Sequence, residues 1–422
     1  MPWLARRLFP LLATAALIVI GMTATIVGPQ LIGRTGWLPP IDLWNTLVAA
    51  QRLVHLDLGG LYTKPTGLIT FPGAAVILAP LAALSDAAGL SLSQPGPHNV
   101  QPLVWLLAGP YMIAISAVAL FAADALAERL RASRPKRALL AVASATALYN
   151  VTVEWGHPED AVAVGLLLFA VLALSQERPA RSAWLTGAAI AVQPLVVLAL
   201  PIMLVVIKPR RLMGFLARAA APAAVLLGAA AAANWSATSH AVTSQPNWPA
   251  VDHPTPWTLL APHLAGGAVA AGPARILAVM AACGCALIVG RRLHAARHSA
   301  HWSRATLREL LWWVALCLAL RSVFEPVMVA FYLWPGVAVA LIAATRHWRR
   351  LIPTAMLAVA LTFGSQSPWR SVWGWWGFMV AGLALTLLFA GVPRRSAAAP
   401  DATALAGVAP GAGSTRSPYR SE

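Results

Sequence analysis

The residues of this chain that could do chemistry are few, and they cluster. The stretch from Pro40 to Gly73, PPIDLWNTLVAAQRLVHLDLGGLYTKPTGLITFPG, follows a first apolar run and is too polar to be a second one. Asp42 opens it, and Leu43, Leu47, Ala50, Val54 and Leu58 follow at the spacing of an amphipathic helix. A carboxylate held at the lip of a bilayer by an interfacial helix can act as a general base toward lipid-borne substrates; the alternative is a solvated loop carboxylate. The second cluster, Glu154-Trp155-Gly156-His157-Pro158-Glu159-Asp160, puts carboxylates and an imidazole side by side. Such crowding raises the cost of ionising every carboxylate together unless a cation is near. It suits sugar hydroxyls, a phosphate held by His157 or a divalent metal, and it equally suits a loop that places acids at the N-terminus of the next helix. The third cluster is Arg321 with Glu325, four apart. The two can pair at a helix end, and Arg321 can hold a lipid phosphate.

The elements that position these residues follow from composition. Hydrophobic residues make up 59% of the chain and charged residues 11%, and the mean hydropathy is +0.69. These values, with repeated apolar runs, point to a polytopic membrane protein. The basic start, Met1 to Arg7, leads into a span at about 8–28 that reads as a retained first helix. The net charge of +17 does not imply nucleic acid. Alternating the segments between apolar runs inside and outside leaves only Arg34, Arg52, Lys64, Arg275, Arg321 and Arg370 of the 31 Lys and Arg on the outer side. That asymmetry is the positive-inside pattern.

Keeping every basic cluster on one side requires two departures from simple hydropathy. Residues 71–88 are short and carry Pro72 and Pro80, whereas a span needs ~20 apolar residues. They are expected to form a half-inserted juxtamembrane helix, which makes 29–101 one outer loop. Residues 184–207 lie between two basic clusters and carry Gln193-Pro194 near the middle. They are expected to enter and return as a broken helix hairpin with a buried tip. Further spans are expected at about 102–126, 138–154, 160–175, 214–233, 273–290, 309–321, 327–344, 351–366 and 372–391. The domain division is a membrane domain over 1–392 and a tail over 393–422 rich in Ala, Pro, Gly and Ser, expected to be disordered. The outer loop 234–272 carries Trp235, Trp248 and Trp257 with His240, Asp252, His253 and His263. Those tryptophans suit an interfacial belt or stacking on sugar faces. Cys283, Cys285 and Cys317 all lie in apolar runs and read as core residues. There is no P-loop, GxSxG, HExxH or CxxC pair.

These features resemble the GT-C membrane glycosyltransferases, in particular the actinobacterial polyprenyl-phosphate-mannose-dependent α-mannosyltransferases. The residues that carry the resemblance are Asp42 in the first outer loop, Leu61-Tyr62, Phe71-Pro72-Gly73 at the start of the next apolar segment, and Gly156-His157 in an outer turn. The segment from Gly187 to Pro194 and the run from Tyr332 to Pro335 extend it over roughly residues 8–345. The departures are Phe-Pro-Gly in place of Tyr-Pro-Pro, Gln193 where a lysine is common, and no histidines around Met328-Val329. The resemblance implies an all-α GT-C fold with about 10 to 12 transmembrane helices and juxtamembrane helices in the first outer loop.

The expected function is transfer of a sugar, mannose by the resemblance, from a polyprenyl-phosphate donor to a membrane glycolipid on the extracytoplasmic face of a bacterial plasma membrane. Both termini are then cytoplasmic. The resemblance implies an inverting displacement with Asp42 as base. Lys64, Tyr62, His157, Glu159, Asp160, Arg321 and Glu325 are the expected substrate and donor-phosphate contacts. No cofactor is expected; a divalent metal is compatible with the acidic loop but is not predicted. The competing expectation is a non-enzymatic polytopic protein, a lipid-linked-sugar transporter or flippase or a degenerate scaffold.

Overall fold

The computed structural model describes residues 3–63, 68–92, 100–298, 302–367 and 371–391. Lys64 and the tail 393–422 lie outside the described residues.

The chain begins with the short α1 (Trp3–Arg6) and the apolar α2 (Leu8–Ile26), whose Leu12, Val19 and Ile20 are left exposed as on a lipid-facing helix. A turn of helix, α3 (Gly28–Leu31), leads to an extended connection. That connection is pinned where the Trp37 N–H donates to the Val100 carbonyl at 2.7 Å and the Leu38 N–H to the Thr25 carbonyl at 2.9 Å. Gly36 has φ +97°, and a Cβ there would lie 2.6 Å from the Val100 oxygen, so only glycine fits. Then come α4 (Asp42–Val54) and α5 (Gly73–Ala87), packed side by side and tied by the Gln51 amide on Asp86 at 2.7 Å.

Leu43, Leu47 and Ala50, the stripe read from the sequence, are fully buried, so α4 belongs to the body of the protein. Leu58 of that stripe falls beyond α4, in a separate 3-10 turn. The 15 residues of α5 reach about 22 Å, short of a span.

α6 (Trp105–Ser116) and α7 (Val118–Arg129) continue one another. α8 (Arg134–Tyr149) closes in a π-helical turn, Asn150–Glu154. α9 (Pro158–Ser175) and α10 (Pro179–Val192) form an antiparallel pair. The helix breaks at Gln193 (φ −146°, ψ 113°), where Pro194 lacks an N–H. A 3-10 segment, Pro194–Ala199, and α11 (Leu200–Val205) run back. Each leg rises about 21 Å, and the Thr186 hydroxyl meets the Met203 sulfur at 3.8 Å across them. The expected hairpin is thus present. Its tip is half-buried, 3.4 Å from Thr70.

The remaining helices are α12 (Pro209–Ala233), α13 (Trp235–Ser244), α14 (Gly272–His298), α15 (Arg304–Phe324), α16 (Trp334–Ala344), α17 (Trp348–Gly364) and α18 (Gly374–Gly391). α16 is buried along its whole length, as a helix apolar all round should be. The connection after α13 folds back as β1 (His253–Pro254) against β2 (Val327–Met328), antiparallel, with His253 opposite Met328.

The protein is an all-α membrane protein. Among the described residues, six helices are long and apolar enough to cross a membrane: Leu8–Ile26, Trp105–Arg129, Pro158–Ser175, Pro209–Ala233, Gly272–Arg291 and Gly374–Gly391. Of the other expected spans, 327–344 is α-helical only from Trp334, and 138–154 and 309–321 lie in helices that open on charged residues, α8 at Arg134 and α15 at Arg304.

Candidate functional site

Asp42 stands in the first turn of α4, where the helix dipole favours a carboxylate. Its partner is delivered by a second glycine. Gly156 has φ +72°, and a Cβ there would lie 2.8 Å from the Pro40 ring, so the turn after the π-helix lies flat on the start of α4. His157 therefore meets Asp42, with Nε2 3.2 Å from Oδ2, and its Nδ1 lies 2.7 Å from Glu159 Oε1. The ring stacks on Phe331 with centroids 4.1 Å apart. An imidazole with a carboxylate at each nitrogen is best satisfied as the doubly protonated cation. Burial alone would lower the His157 pKa. The Glu159 charge, the hydrogen bonds that the ring donates to Asp42 and Glu159, and the Asp160 charge outweigh burial and hold it at about 10.

One residue further into α9, Asp160 is 1% exposed. Its closest cation is Arg321, Nη1 to Oδ1 at 3.9 Å, too long for a hydrogen bond. The Arg321 guanidinium lies flat on the Tyr332 ring at 3.6 Å. Both oxygens of Asp160, Oε2 of Glu159 and Nη1 of Arg321 are buried without a hydrogen-bond partner. Buried polar groups are normally satisfied, so this cluster holds donor and acceptor capacity that the fold leaves unused.

The structure thus brings together Asp42, His157, Glu159, Asp160 and Arg321, which sequence reasoning placed at one surface. It separates the others. Glu325 does not pair with Arg321. α15 ends at Phe324 and Glu325 turns extended (φ −77°, ψ 138°), which takes it off the helix face that the i, i+4 spacing assumed. Its carboxylate is held instead by Arg275, with Nε 3.0 and 3.2 Å from the two oxygens and Nη2 closer still. Arg275 also donates to Gln245 Oε1. The Tyr62 hydroxyl donates to the Thr70 carbonyl at 3.0 Å, and burial pushes its pKa up. Tyr62 therefore serves the loop that meets Gln193, not the Asp42–His157 pair. Lys64, expected beside the donor phosphate, is outside the described residues.

Sequence reasoning missed Asp252 and Phe331 as members of this site. The loop that carries Asp252 is clamped by Thr255 Oγ1 donating to the Glu325 carbonyl at 2.7 Å and Trp257 Nε1 donating to the Val323 carbonyl at 2.6 Å. His253 stacks on Trp375, with centroids 3.8 Å apart. Burial and the Asp42 charge push the Asp252 carboxyl up to about 6, with His157 opposing them. The β1–β2 pairing that brings Asp252 there spans two short runs more than 70 residues apart, His253–Pro254 and Val327–Met328, with no alternation to announce it. Trp257, read from the sequence as belt or sugar platform, has its indole N–H engaged in this clamp.

Among the described residues, no group of three or more His, Cys, Asp or Glu side chains is arranged to hold a metal ion. No family model matches the chain, and no curated protein matches it.

Proposed function

We propose that this protein is a membrane glycosyltransferase of the GT-C type that moves a sugar, mannose by resemblance, from a polyprenyl phosphate to a membrane glycolipid. The observation that carries the reading is the unused capacity of Asp160, Glu159 and Arg321 beside an Asp42–His157 pair. A lipid-phosphate sugar needs a base, a cation for the phosphate and acceptors for hydroxyls at one depth, and these groups supply all three.

Asp42 is half-exposed, and its Oδ1 has no hydrogen bond among the described residues, which leaves it open to an acceptor hydroxyl. In the proposed inverting step the acceptor oxygen attacks the anomeric carbon and its proton passes to Asp42. The bond from that carbon to the phosphate oxygen breaks, and the leaving polyprenyl phosphate carries the negative charge. Arg321 meets that charge with a guanidinium already stacked and oriented by Tyr332. His157 holds Asp42 in place, and Glu159 holds His157. Asp160 and Gln193 border the hydroxyls of the sugar.

In the same reading the chain crosses a bacterial plasma membrane about 10 to 12 times, with both termini in the cytoplasm and this site outside. Supporting it, Arg7, Arg129 and Arg137 gather at the end of the bundle away from the site. The test is reconstitution of the purified protein in lipid with a polyprenyl-phosphate sugar and a membrane glycolipid. Transfer that disappears in Asp42→Asn supports the reading. Donor left intact by the wild-type protein across a panel of lipid-linked sugars counts against it and favours a transporter or scaffold.

A further inference from the structure

The end of the bundle opposite Asp42 carries a cluster of positive charges in which one buried donor has no partner. α15 and α17 both start there, and neither has an acidic residue in its first turn. Each instead carries arginine: Arg304 and Arg308 in the first two turns of α15, Arg349 and Arg350 in the first turn of α17. Cations at a helix N-terminus oppose the dipole, where an anion would be favoured. Arg308 is the innermost. Its Nε is buried without a hydrogen-bond partner, and the charges acting on it, from Arg346, Arg350 and Arg304, are all of its own sign. Glu309, the only acid on α15, already has an interaction of its own. Beside the cluster, residues 347–350 line an open cavity of about 460 Å³.

Further features set its depth. Leu310, Leu311, Trp312 and Trp313, just after Arg308, are buried in the apolar body. Trp348 is 41% exposed, with Lys136 Nζ 5.9 Å from its ring, as in an interfacial belt. Ile352 and Met356, just beyond Arg350 on α17, are exposed apolar residues, so the arginines stand at headgroup level beside an apolar outer surface.

We propose that this cluster binds the phosphate of an anionic phospholipid, with Arg308 as its central contact and Arg304, Arg346 and Arg350 around it. Guanidinium forks match phosphate oxygens, and an anion seated there converts mutual repulsion into attraction. A lipid source fits better than free phosphate, because the site opens at the level of the Trp348 belt and the acyl chains can follow the adjoining apolar surface. The site is independent of the Asp42 chemistry.

The experiment compares the full-length protein with Arg308→Gln and Arg346→Gln in zwitterionic nanodiscs, with and without phosphatidylglycerol or cardiolipin. Thermal unfolding and native mass spectrometry of retained lipid are the readouts. The wild-type protein should gain Tm with anionic lipid and keep it through purification, and each variant should retain about fivefold less, the factor expected for one arginine at a membrane surface. In purely zwitterionic lipid Arg308→Gln should unfold at the same temperature as the wild type or higher, since it relieves like-charge crowding; a purely structural arginine would move Tm the other way. Arg346 is exposed, so its variant reports even if Arg308→Gln folds poorly. Unchanged lipid retention in Arg346→Gln and in any folded Arg308→Gln overturns the proposal. An equal Tm gain from millimolar inorganic phosphate overturns the lipid assignment and leaves a soluble-phosphate site.

Discussion

Two aspartates are buried at opposite ends of this bundle, and the fold treats them differently. Asp124 is 2% exposed and Asp160 1%. Asp124 accepts from Arg7 at 2.7 Å and from Arg137 at 2.7 and 2.6 Å. The same Arg137 also donates to the Arg6 carbonyl at 2.6 Å. Asp124 thus ties α1, α2, α7 and α8 at the basic end. Asp160 has Arg321 at 3.9 Å, with the His157 charge and the Gln193 amide beside it, and neither of its oxygens meets a partner in good hydrogen-bond geometry. A buried carboxylate that is fully paired is an anchor. One left open among Glu159, Arg321 and His157 carries a desolvation cost that a structural role alone does not require, and the natural remedy is a polar ligand.

The largest effect should follow from removing the group presented to that ligand. Asp42→Asn keeps the size and removes the basicity. Turnover of polyprenyl-phosphate sugar should fall by ~10²–10⁴, the range for a lost general base, with the protein still folded. Undiminished turnover would take Asp42 out of the mechanism.

The two aspartates should then separate in stability. Asp124→Asn strands Arg137 and leaves Arg7 with Glu128 alone, and it should cost about 3–5 kcal/mol, as for one partner of a buried pair removed. Asp160→Asn should leave stability level or raise it, because its carboxylate has little to lose. Chemical unfolding of both variants in the same lipid checks the sign, and equal losses would mean that Asp160 is an anchor too. Glu159→Gln should lower turnover less than Asp42→Asn does, since Glu159 touches binding and the hold on His157 rather than the proton transfer itself; steady-state kinetics on the two variants ranks them.

The remaining effects are in pH. His157 is held up at about 10 against an ordinary value of 6.5. Its charged contacts therefore stabilise the fold fully below about pH 6.5, and that contribution is lost as pH rises through about 10. The stability difference between the wild type and His157→Gln should shrink across that window. Asp252 runs the other way. Its carboxyl is pushed up to about 6 from 3.8, so the native state holds the proton more tightly than the unfolded chain does. Its ionisation should cost stability as pH rises from about 4 to 6, and Asp252→Asn should remove that slope. Unfolding midpoints taken at steps of pH would show a slope unchanged by the substitution if Asp252 is solvated instead.

Part of this was legible in the chain itself. Asp42, His157 to Asp160 and Arg321 each stand where an apolar run meets a polar stretch on the weakly basic side, so hydropathy and charge asymmetry alone put them at one surface. The break at Gln193 was also written locally, because a proline without an N–H interrupts the ladder wherever it lies. Both signals are one-dimensional and survive any arrangement of the helices. Which side chains touch was set by packing. Glu325 left Arg321 for Arg275, 50 residues away, because α15 ends one residue before it. Asp252 and Phe331 joined the site through a short strand pair and a ring stack that no periodicity announces. Gly156 set the distance from Asp42 to His157 by lying against Pro40, a contact between segments more than 100 residues apart. Periodicity tells which face of a helix is apolar. The register in which packed faces meet depends on shape and close approach, and that register decides whether a buried charge finds a partner or waits for a ligand.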